Sequence, residues 1–93
     1  MKKQEYPESY NGLLSIKSKF MAEFRRTSFP LEETSFDAFF NHISNLHKVH
    51  DVVLTYTDPV HGDLLPINND ENFCQAKKSC KQAQLMKVCF YLF

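Results

Sequence analysis

The sequence is poor in the residues that build enzymatic signatures. Gly12 and Gly62 are its only glycines. Neither stands in a phosphate-cradling loop, a dinucleotide fingerprint or a G-x-S-x-G elbow, so those chemistries are excluded. The three cysteines, Cys74, Cys80 and Cys89, form an odd set without C-x-x-C spacing, which excludes a zinc ribbon and a dithiol redox motif. They read as reduced thiols packed as small apolar groups. His47 and His50 lie three apart, but no cysteine or carboxylate spacing completes a ligand set, so neither a metal nor another cofactor is expected. Net charge is missing too. Eleven basic and eleven acidic residues cancel, which removes the general basic excess of a nucleic-acid-binding chain. No apolar run reaches the roughly 18 residues of a membrane span. The opening Met-Lys-Lys-Gln-Glu-Tyr-Pro-Glu lacks the apolar core of a secretion signal, which predicts a cytoplasmic chain.

What is present fits one small folded domain. The 93 residues are 43% apolar and 14% aromatic, too rich in both for a disordered chain. Residues 1–12 hold almost nothing apolar and are expected to form a disordered lead, with the domain over 13–93. In Leu13 to Phe20, Leu14, Ile16, Ser18 and Phe20 alternate onto one face, and Lys17 and Lys19 onto the other, the pattern of a half-buried strand. Glu23 to Phe29 pairs back as a hairpin through Met21-Ala22, whose turn type is not evident without Gly or Asn.

Between Ser35 and His50 the period changes. Phe36, Phe39, Phe40, Ile43, Leu46 and Val49 recur at helical spacing, with Thr34 or Ser35 as cap and Asp37 near the positive end of the dipole. Asp51 to Tyr56 reads as a strand, Asp58-Pro59 and His61-Gly62 as a loop, and Leu64 to Ile67 as a short strand that Pro66 places at an edge. Asn69 or Asp70 caps a helix through about Ser79, with Phe73, Ala76 and Cys80 inward. The apolar run Leu85 to Phe93 predicts a central strand covered on at least one face. The order strand, strand, helix, strand, strand, helix, strand predicts an α+β fold of the ubiquitin-like β-grasp type, a mixed sheet of about five strands with two helices. A ferredoxin-like plan is the alternative on element order.

The cancelled charge conceals two blocks. Lys17, Lys19, Arg25 and Arg26 face a single acid, Glu23, between Leu13 and Arg26, whereas Asp51, Asp58, Asp63, Asp70 and Glu71 have no lysine or arginine among them between Asp51 and Glu71. A domain polarised in this way steers and orients a complementary protein. Strict alternation places Arg26 on the face of Phe24, so that Arg26 joins the lysines only if the strand bulges or ends there. Asp58 and Asp63 are the one candidate pair of carboxylates for acid–base work. They flank a loop in a domain too small to exclude water, so no catalytic role is expected.

Two runs carry a family resemblance. Lys17-Ser-Lys-Phe-Met-Ala-Glu-Phe-Arg-Arg26 resembles the opening strands of the PB1 (Phox and Bem) domain of the partitioning-defective Par-six polarity scaffolds. His61-Gly-Asp-Leu-Leu-Pro-Ile-Asn-Asn-Asp-Glu-Asn-Phe73 resembles the acidic segment of the same domain. The resemblance implies a ubiquitin-like fold and front-to-back pairing, in which a lysine on the first strand meets an acidic cluster on the partner. It implies that Lys17 is that lysine, Arg26 a second basic contact, and the PB1 domain of atypical protein kinase C the partner, at the cell cortex or junctions. Lys19 and Arg25 would add to the field. Asp58, Asp63, Asp70 and Glu71 stand in the acidic segment, but its middle is depleted where Pro59, Val60 and His61 precede Gly62-Asp63. Binding of a different partner through that segment, or through the sheet face, is the alternative. The scaffolds continue into a partial small-GTPase-binding motif and a PDZ domain, which 93 residues do not hold.

Overall fold

The structure, a computed structural model, describes residues 12–92. The expected lead over residues 1–12, Gly12 apart, lies outside the described residues. Strands β1 (Leu13–Phe20) and β2 (Glu23–Pro30) form the expected antiparallel hairpin, in register from Leu13↔Pro30 to Phe20↔Glu23. Its turn contains no glycine or asparagine, and Met21 takes the left-handed conformation itself, at φ 57°, a strain of about 1 kcal/mol that glycine would avoid.

Helix α1 (Phe36–His47) is capped by Ser35, whose side chain accepts from the Ala38 N–H at 3.1 Å. It stops three residues before the expected His50 because Lys48 turns left-handed at φ 56°. Val49 still packs against the core, from outside the helix. Strands β3 (Val52–Thr57) and β4 (Leu64–Ile67) follow, then helix α2 (Asp70–Lys81) and strand β5 (Leu85–Leu92). Asn69 caps α2, and Asn72 completes a reciprocal capping box.

The five-stranded sheet has the order β2-β1-β5-β3-β4. As its apolar run predicts, β5 is central, parallel to β1 and antiparallel to β3. This is the β-grasp arrangement. Register places Ile16, Met86, Val88, Phe90, Leu54 and Ile67 on one face, where both helices lie. Phe39 of α1 and Phe73 of α2 stack there at 4.5 Å, and Phe29 of β2 meets Phe39 edge-on at 5.1 Å. Each such aromatic pair adds about 0.5–1.5 kcal/mol beyond its area. Lys77 of α2 is buried, with its ammonium over the Phe73 ring and donating to the carbonyls of Leu31 and Glu33. It ties α2 to the chain leaving β2. Among the described residues no helix lies on the opposite sheet face, and that open face bears the lysines of β1.

Candidate partner-binding face

Cross-strand partners in an antiparallel pair share a face. Lys17 lies opposite Arg26, and Lys19 opposite Phe24, so all four side chains project from the open side of the sheet. The expectation that Arg26 needs a bulge to reach the lysines is corrected. Arg26 does share the face of Phe24, but that face is the open one, and Phe24 is 56% exposed. The Lys17 and Lys19 ammoniums lie 4.9 and 5.6 Å from the centre of its ring, contacts worth about 0.5–1 kcal/mol each in exposed settings. The apolar end of β2 is Phe29, which enters the core.

Arg25 does not join this cluster. Its register partner is Ser18, on the helix side of the sheet, and its guanidinium donates to Glu23 at 2.8 Å. Lys87 does join, although only its strand, not its face, was read from the sequence. It is exposed on β5 and lies beside Lys17 in the parallel register. Local patterning does not show that β1 and β5 are neighbours, so nothing in either segment alone marks the pair. Among the described residues, no carboxylate forms an ion pair with Lys17, Lys19, Arg26 or Lys87.

The acidic segment flanks β4, at the sheet edge opposite β2. Asp58 is committed to its own loop. Its carboxylate accepts from the N–H groups of Val60 at 3.2 Å and His61 at 3.3 Å, and lies 3.1 Å from His61 Nδ1. These contacts, the Val60 N–H first and the His61 ring next, hold its carboxyl below the usual range. Gly62, at φ 79°, lets the loop return, so that the Asp58 N–H meets the Asp63 carbonyl at 2.8 Å. Asp70 is also engaged: its Oδ1 accepts from the Phe36 N–H at 2.8 Å, where it satisfies a free donor at the start of α1. Asp63 and Glu71 are exposed, and their carboxylates engage no other described side chain.

One further cluster escaped sequence reading. Ser18 Oγ lies 2.8 Å from His47 Nε2, and His47 Nδ1 lies 3.3 Å from Glu23 Oε1. In the tautomer protonated at Nδ1, the imidazole donates to Glu23 and accepts from the serine hydroxyl. The order matches a nucleophile–base–acid chain, but Ser18 is 0% exposed, so its hydroxyl has no route to a substrate. The trio fastens the end of α1 to the β1–β2 hairpin. No group of three or more potential metal ligands occurs among the described residues, and no described helix is long and apolar enough to cross a membrane.

Comparison with known proteins agrees with this geometry. The PB1 domain family profile matches residues 13–93. Human partitioning defective 6 homolog gamma is 48% identical over 69 residues, covering 71% of this chain and 18% of the relative. Partitioning defective protein 6 of Caenorhabditis elegans is 35% identical over 80 residues, covering 82% of this chain and 26% of the relative. The chain thus spans about a fifth to a quarter of the length of these relatives. Among solved structures, the AtNBR1 PB1 domain superposes with a TM-score of 0.73 at 14% identity, over 88% of this chain and 99% of that one. The same domain in a filament gives 0.70 at 17% identity, over 85% and 96%. At those identities the structures speak to the fold alone. Since the profile covers nearly all of the chain and the sheet order is that of a β-grasp, the chain belongs to the PB1 domain family of protein-interaction modules.

Proposed function

We propose that this domain is a basic-side adaptor that pairs front-to-back with the acidic segment of the PB1 domain of an atypical protein kinase C, in cell-polarity signalling. The observation that carries the reading is the gathering of Lys17, Lys19 and Arg26 on the open sheet face, without a carboxylate partner among the described residues. Lys17 is the central contact, making a charge-assisted hydrogen bond to partner carboxylates. The similarity to partitioning-defective proteins supports the choice of partner, and that partner would bring the domain from the cytoplasm to the cortex. The proposed role is that of an adaptor, not an enzyme, in keeping with the PB1 family match.

Self-assembly is disfavoured. An open filament needs two complementary patches, and Asp58 and Asp70 are spent on internal hydrogen bonds. Asp63 and Glu71 keep a second reading alive, in which the acidic edge meets a different, basic partner. Titration calorimetry against the isolated kinase PB1 domain tests the first reading. Lys17→Ala is expected to lower affinity by at least about tenfold, since truncating one partner of a desolvated charge pair costs roughly 2–5 kcal/mol. Binding should also weaken between low and high salt, because exposed charges are screened at a Debye length of about 8–10 Å in ordinary buffers. Equal binding by the folded variant, or affinity indifferent to salt, would overturn it.

A further inference from the structure

We infer that Lys87 and Lys17 together form a cradle for a single carboxylate of the acidic partner, with Phe24 as its wall. The inference rests on the proposed function and extends the binding face from the hairpin to the central strand.

A hollow of about 270 Å³ lies on the open sheet face, lined by Lys17, Lys19, Phe24, Thr57, Lys87 and Cys89. Lys17 and Lys87 are register partners on neighbouring parallel strands, which run roughly 4.8 Å apart. Two ammonium groups based so close on one face repel each other, and like charges directly opposite in a sheet destabilise it. Among the described residues, neither has a carboxylate to relieve the repulsion. A carboxylate set between them would neutralise both, and it has two oxygens with which to accept one hydrogen bond from each. Phe24 contributes in two ways. Its ring lies against the Lys17 and Lys19 ammoniums, which limits where Lys17 can reach. Its 56% exposure leaves apolar surface to cover the stem of an incoming acidic side chain and exclude water. The hollow is shallow, so it suits a side chain delivered by a docked protein surface rather than a free small molecule. The occupant is therefore an aspartate or glutamate of the partner's acidic segment, matched by charge.

The test measures affinity for the isolated PB1 domain of an atypical protein kinase C, and thermal midpoint, for the wild type, Lys87→Ala, Lys87→Gln and Lys17→Ala. Lys87→Ala and Lys87→Gln should each weaken binding by at least about tenfold, the loss also expected of Lys17→Ala, because each removes one cation of a close interfacial charge pair. Neither should lower the midpoint, because the repulsion is relieved. Wild-type affinity in both Lys87 variants, beside a failed Lys17→Ala, would overturn the cradle and leave the proposed function standing. A midpoint that falls along with affinity in both variants would make Lys87 a fold residue and likewise overturn it. No binding by the folded wild type would overturn the proposed function and the cradle together.

Discussion

Ser18 and His47 should be energetically coupled, and a double-mutant cycle measures by how much. Both side chains are buried, 29 residues apart, and joined at 2.8 Å. Ser18→Ala leaves the imidazole Nε2 buried without a partner, which costs about 1–3 kcal/mol. For a domain of this size that lowers the thermal midpoint by roughly 4–24 °C. His47→Leu keeps much of the volume between the Phe20 and Phe90 rings. It leaves Ser18 with only its long contact to the Arg25 carbonyl at 3.3 Å, while Glu23 retains Arg25 at 2.8 Å. The double variant contains neither polar group and so has no orphan. Replacing both members of a buried hydrogen bond is close to neutral, whereas replacing one is not. The double variant should therefore lose less than the sum of the singles, by about 0.5–3 kcal/mol. Urea unfolding at pH 7, followed by circular dichroism, reads all four corners. Costs that add to within about 0.5 kcal/mol would refute the coupling, and with it the role of His47 as the fastener between α1 and the hairpin.

Two further outcomes are expected. Asp58 has a carboxyl pKa held below its unfolded value, first by the Val60 N–H and next by the His61 side chain. The stability it contributes is therefore complete above its unfolded pKa of about 4 and is lost as pH falls through the lower folded value. Asp58→Asn should unfold more readily at pH 7 and show a flatter acid dependence in urea midpoints between pH 6 and pH 3; an unchanged slope would contradict the loop's use of that carboxylate. The Cys80 thiol is pushed up to about 11, by burial and then by the Asp58 charge, so little reactive thiolate exists at pH 8. Iodoacetamide with peptide mass mapping should label half-buried Cys74 and Cys89 well before Cys80, and Cys80 labelling as fast as theirs in the folded chain would contradict its burial.

The elements were legible because each writes its own period. The alternation of Leu14, Ile16 and Ser18 and the helical recurrence of Phe36, Phe39, Phe40 and Ile43 are local signals, and the strands and α1 follow them. The end of α1 was not legible, because Lys48 adopts a left-handed cap that sequence patterns assign to glycine or asparagine. The basic face was half legible. Lys17 and Lys19 declare their side by alternation, but Phe24 reads as a core residue until its register opposite Lys19 places it on the open face. Lys87 and the Ser18–His47–Glu23 trio depend on strand order and on contacts 24 or 29 residues apart, which no window of sequence contains. The acidic segment shows the reverse problem. Its residue types suggest a binding cluster, yet Asp58 and Asp70 each have a nearer use, one in a turn and one at a helix start.

The most direct measurement of the central claim is an amide-shift map of this domain, titrated with the isolated PB1 domain of an atypical protein kinase C. The basic-face account predicts that the largest changes fall on β1, the start of β2 and the middle of β5, at Lys17, Lys19, Phe24, Arg26 and Lys87. Changes confined to Asp63, Asp70, Glu71 and the β3–β4 loop, with the Lys17 face silent, would contradict it.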